Sequence, residues 1–132
     1  PPRSTLFPYT TLFRSPAIGQ GALGLELRSS DEATRRLAAP LHHADTAVAV
    51  AAERAFLQTL EGGCQVPIGG HATVSGNAVT LSGLVASLDG VEVYSKTEVA
   101  PRSEAAALGR RIANELLDAG ARRILQDVYN AC

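Results

Sequence analysis

Only two of the 132 residues are cysteine, Cys64 and Cys132. One lies mid-chain and the other at the last position, which is not the arrangement of a disulfide framework. So few thiols in an otherwise ordinary composition suit a reducing cytosol, and a cytoplasmic protein is expected. Aromatic residues are scarce at 5%, and 12 Lys and Arg against 13 Asp and Glu leave a net charge of -1. With no basic tract and few rings to stack on bases, nucleic-acid binding has no electrostatic support. Long apolar runs are missing too: the longest is Ala47 to Ala52, whereas a helical membrane span needs about 20 such residues. What the chain does have is 45% hydrophobic content, in a length sufficient for one modest domain with its own core.

The N-terminus stands apart. Residues 3–15 form a near-palindromic peptide from Arg3 to Ser15. It is not a signal peptide, because Pro8 breaks the apolar stretch and no small-residue cleavage site follows. Thr5 to Ser15 reads like the in-frame translation of a sequencing-library adapter. Residues 1–15 are therefore expected to be a cloning or assembly scar without ordered structure, a natural disordered tail being the alternative. On that reading the natural protein is longer at its N-terminal side.

Leu23, Leu25 and Leu27 alternate with Gly24, Glu26 and Arg28, a period of two that predicts a strand over 22–28. Ser29 and Glu32 have the spacing of a capping box, predicting a short helix that Pro40 stops. Asp45 is the expected N-cap of a second helix. On it Val48, Ala51, Ala52, Ala55, Phe56 and Leu60 share one face, with Glu53 and Arg54 near the opposite side and Gly62 or Gly63 ending it. Residues 71–99 read as a β-meander with turns at Gly76-Asn77 and Asp89-Gly90. Pro101 closes the sheet, and Ser103 is the expected cap of a helix striped by Leu108, Ile112 and Leu116 and ended by Gly120. Ala121, Ile124, Leu125 and Val128 mark a last helix. From residue 44 the order is α-β-β-β-α-α: a small α+β domain, three antiparallel strands with helices on one face.

Gly19-Gln20-Gly21-Ala22-Leu23-Gly24 matches G-x-G-x-x-G formally, but a dinucleotide site needs a strand before it and a helix opening after it. Neither is predicted, so the glycines are read as a bend or a close approach to a ligand. His42, His43 and His71 have no zinc-ligand spacing, and a solvated or capping role is favoured. Arg35-Arg36, Arg110-Arg111 and Arg122-Arg123 are read as solvated helix faces, since adjacent residues do not share a face. Cys64 follows a helix C-terminus and lies three residues from Glu61; both disfavour a thiolate. A buried structural cysteine ranks first on physical grounds, permanent covalent attachment second, and a turnover nucleophile with His71 as base last.

The stretch Pro16 to Arg28, Ala52-Glu53-Arg54-Ala55-Phe56, and Leu60-Glu61-Gly62-Gly63-Cys64-Gln65-Val66-Pro67-Ile68-Gly69 together resemble hydroxymethylbilane synthase, the porphobilinogen deaminase family. Asn114 to Leu117, Gly120-Ala121 and Val128 to Asn130 fit as well, so the resemblance covers residues 16–132. It implies a cytoplasmic, monomeric transferase of haem and tetrapyrrole biosynthesis. That enzyme condenses four porphobilinogen molecules with loss of ammonia, then releases hydroxymethylbilane. The primer is a dipyrromethane cofactor held by a thioether to Cys64, and Gln20 matches a position at the cleft. No metal is implied.

The same resemblance implies three domains. Residues 16–43 would be a hinge plus a strand-helix returning to the first domain, and 44–132 the cofactor-attachment domain. The family's general acid/base aspartate belongs to the first domain, so no catalytic residue is assigned here and the chain alone is expected to be inactive and largely without cofactor. A free-standing, non-enzymatic α+β module that binds a small molecule is the alternative.

Overall fold

The computed structural model describes residues 16–60 and 67–130. Seven regular elements follow one another: α1 (Glu32–Ala38), α2 (Ala44–Thr59), β1 (Ile68–Ser75), β2 (Ala78–Ala86), β3 (Val93–Pro101), α3 (Ala105–Leu116) and α4 (Arg122–Asn130). The strands form one antiparallel sheet in the order β1-β2-β3. This is the α+β meander with helices on one face that the periodicities predict.

The core forms where the alternating side of β2 meets α2 and α3. Val79, Leu81 and Val85 are fully buried there with Phe56, Leu108 and Ile112. Phe56 sits over a pair of glycines, Gly70 and Gly83, which face each other across β1 and β2. A Cβ on Gly83 would lie 2.6 Å from the ring's Cζ and one on Gly70 3.5 Å from its Cδ1. Two missing side chains thus make room for one large ring. Gly109 plays the same part between α2 and α3, where a Cβ would collide with the Ala52 carbonyl oxygen. Gly120, at φ 131, breaks α3 from α4. Beyond it Ala121, Ile124, Leu125 and Val128 are all buried, as their spacing predicts.

Several local expectations change. Residues 22–28 form no strand, and Leu23 is 98% exposed. The alternation is present in the sequence, but a strand needs a neighbour to pair with, and none stands beside it among the described residues. Asp31, not Ser29, caps α1: its carboxylate accepts from the Thr34 N–H at 3.0 Å and from the Thr34 hydroxyl at 2.7 Å. His43 caps α2 through Nδ1, which accepts from the Thr46 N–H at 3.2 Å. Asp45 lies one step inside the helix and accepts instead from Arg102 at 2.8 Å. Arg102 also donates to the Gly76 carbonyl at 3.2 Å, joining the β1–β2 turn to the start of α2. The residues after Pro101 make a single tight turn, so α3 begins at Ala105 with Glu104 before it and no side-chain cap from Ser103. Ala51 is exposed and Glu53 buried, the reverse of the expected faces. The expected helix-ending Gly62 and Gly63 lie outside the described residues.

Candidate functional site

α2 ends at Thr59, and the next residue, Leu60, is anchored in the core. The chain is described again from Pro67, whose carbonyl accepts from the Ala86 N–H at 2.9 Å, and β1 begins at Ile68. Cys64 lies between these two fixed ends and, like Cys132, outside the described residues. A helix C-terminus precedes it in the chain, at Thr59.

Gln20 is described. It closes a four-residue turn in both directions: its N–H donates to the Ala17 carbonyl at 3.0 Å, and its Oε1 accepts from the Ala17 N–H at 3.0 Å. Gly19, third in the turn, has φ 70, a value that glycine adopts without strain. With Oε1 engaged, the Gln20 carboxamide has its NH₂ group left to offer a ligand. The expected bend at these glycines is therefore present, and no helix opens directly after them, the next being α1 at Glu32.

This turn is docked on the edge of β1 close to the start of the strand at Ile68. The Gly70 N–H donates to the Pro16 carbonyl at 3.2 Å. The Ile18 side chain fills the space beside Gly70, with Cδ1 2.5 Å from where a Cβ would stand. The third contact comes from Glu53, which is only 5% exposed. Its Oε2 accepts from the Gly19 N–H at 2.7 Å and its Oε1 from the Ala72 N–H at 2.8 Å. His71 Nδ1 stands 3.8 Å from Oε1, with a side chain 58% exposed. Helical spacing sets Glu53 near the side opposite the apolar stripe, whereas the structure buries it. The available signal was its place next to Ala52, on the border of the apolar stripe, where an edge strand would present unpaired N–H groups.

His43 is a cap, one of the expected roles; among the described residues no three His, Cys, Asp or Glu side chains gather. Of the arginine pairs, Arg35 and Arg36 reach Glu32, Arg111 reaches Glu98, and Arg123 reaches Glu92 and Asp127. An open depression of about 300 Å³ lies between the β2–β3 loop and α4, lined by Asp89, Glu92, Arg123 and Asp127 among others. Its one cation is already paired with carboxylates, so it is poorly suited to an anionic ligand. No described helix is long and apolar enough to cross a membrane.

Residues 47–118 match the family model described as "Porphobilinogen deaminase, C-terminal domain". The chain belongs to the porphobilinogen deaminase family, whose C-terminal domain it carries. Curated porphobilinogen deaminases are similar over most of its length. That of Syntrophobacter fumaroxidans is 57% identical over 116 residues, covering 88% of this chain and 38% of the relative. That of Syntrophotalea carbinolica is 58% identical over 110 residues, 83% of this chain and 35% of the relative. That of Trichlorobacter lovleyi is 55% identical over 119 residues, 90% and 38%. The chain thus spans little more than a third of the length of these porphobilinogen deaminases.

Proposed function

We propose that this chain is the cofactor-attachment part of a cytoplasmic hydroxymethylbilane synthase, with Cys64 as the thioether anchor of dipyrromethane. The observation that carries the reading is the place of Cys64. In a chain of this family, Cys64 stands in sequence between the end of α2 and the start of the edge strand β1. A thioether needs a single thiol and no low pKa once formed, which is what a loop at the negative end of α2 offers. The segment that carries Cys64 is held at both ends, by Leu60 in the core and by the Pro67–Ala86 hydrogen bond, which supports a fixed point of attachment. When bound, dipyrromethane supplies the primer to which porphobilinogen units are joined with loss of ammonia. The Gln20 Oε1 is taken by the Ala17 N–H, so at the cleft position that the resemblance implies its NH₂ group is the part proposed to donate to a substrate carboxylate.

Residues 44–132 form the attachment domain, and residues 16–43 the hinge and a segment that packs on another domain. The exposure of that segment supports the division: α1 buries no residue, and Leu37 is 80% exposed. The 132-residue chain alone is proposed not to turn over porphobilinogen, because the general acid/base aspartate that the resemblance implies belongs to the first domain. The test is an assay of the full-length protein with porphobilinogen. Hydroxymethylbilane forms in the wild type and not in Cys64→Ser. Full activity in Cys64→Ser would overturn the anchor reading.

A further inference from the structure

We infer that Glu53 is a positioning residue that holds the Gln20 turn against the edge of β1. The inference rests on the proposed role of Gln20 and deepens it. An edge strand leaves alternate N–H groups unpaired. On β1 the outward N–H groups of Gly70 and Ala72 are satisfied by Pro16 and Glu53, not by another strand. Glu53 joins three parts: its side chain leaves α2, one oxygen takes the Ala72 N–H of β1, and the other takes the N–H of Gly19. Gly19 precedes Gln20 and is the third residue of the turn that Gln20 closes. The carboxyl group thereby fixes where the Gln20 carboxamide stands relative to β1. A shared carboxyl with two N–H donors on two segments couples their positions, because moving either one leaves a buried acceptor or donor unpaired.

Glu53→Gln separates the two bonds. Its one remaining oxygen can accept from Ala72 or from Gly19, and the other donor then faces an NH₂ group. The Ala72 bond is the buried one and the Gly19 bond only part-buried, so the oxygen is expected to stay with Ala72 and the turn to be released.

Amide hydrogen exchange on this chain tests the contact. The Gly19 N–H is expected to be protected in the wild type and to exchange at least about tenfold faster in Glu53→Gln, with Leu81, Val85 and Ile112 unchanged. An unprotected Gly19 in the wild type, or unchanged protection in the variant, overturns the inference. If Glu53→Gln unfolds, Glu53→Asp decides. One methylene shorter, the carboxylate is expected to keep the buried Ala72 N–H and lose Gly19, so Gly19 should exchange faster while the sheet amides hold; unchanged Gly19 exchange overturns the inference.

A double-substitution cycle in the full-length enzyme tests the positioning. Gln20→Ala is expected to lower kcat/KM on the order of tenfold in the wild-type background and to have little further effect after Glu53→Gln. Independent, additive losses overturn it, because a merely structural Glu53 would not couple to Gln20. No loss in Gln20→Ala alone overturns the cleft role of Gln20, while the exchange result still reports on the Glu53 contact.

Discussion

Gly109 on α3 lies directly against the backbone carbonyl of Ala52 on α2, with no room for a Cβ between them. The two helices that cover the sheet therefore meet backbone to backbone at this point. Gly109→Ala forces them apart or strains the helices. Overpacking of this kind costs about 1–3 kcal/mol and at times more, despite alanine's better helix propensity. Urea denaturation should show a lower midpoint, and an unchanged or higher midpoint would show that the helices do not meet this closely.

Phe56 fills the space that Gly70 and Gly83 leave open. Phe56→Ala should cost about 3–5 kcal/mol, because a ring is lost from a site that rigid strands cannot close over. Gly83→Ala should also destabilise, since its methyl group would enter the ring. Thermal or urea melts of both variants check the pair.

Little of this was hidden in the sequence. The β2 alternation, the Leu108–Ile112–Leu116 stripe and the final Ala121–Val128 pattern all lie where periodicity puts them, because each faces a single continuous core. The misplaced features have physical reasons. Caps moved by one or two residues because Asp31, Ser29, His43 and Asp45 are all competent acceptors near a helix start, and tertiary contacts choose among them. Asp45 was taken by Arg102, which is distant in sequence. The 22–28 strand failed because alternation reports a preference for pairing, not the presence of a partner. Around the candidate site, the bend at the glycines and helix α2 were legible, whereas the burial of Glu53 was not. Its burial depends on N–H groups of a strand that folds in from nineteen residues away.

The acid sensitivity of the domain has an identifiable contributor. Hydrogen bonding to Lys96, then to Arg111, holds the Glu98 carboxyl below its ordinary value of 4.5. A lowered folded-state value means that the unfolded chain binds the proton more readily. The stabilisation is therefore fully present above the ordinary value and lost as pH falls through the lower, folded one. Asp31 and Asp89 are lowered in the same direction by local hydrogen bonds. Stability measured from pH 6 down to about pH 3 should fall, and Glu98→Gln should flatten part of that slope. An identical slope in the variant would remove Glu98 from the account.

Leu23, Leu25, Leu37 and Leu41 are exposed. Replacing Leu23 and Leu37 with serine should change the stability of this chain by no more than about 0.5 kcal/mol, as for other surface sites. It should reduce any self-association seen by sedimentation, since large exposed side chains on an unpaired segment favour contact between copies. A loss of stability well beyond that would mean that the segment packs on the domain.

The central claim is that Cys64 is a covalent anchor. Intact-mass spectrometry of the full-length protein tests it most directly. The account predicts a mass above that of the polypeptide by one dipyrromethane in the wild type, and the bare polypeptide mass in Cys64→Ser. An active wild-type protein without added mass, or an adduct that persists in Cys64→Ser, would contradict it.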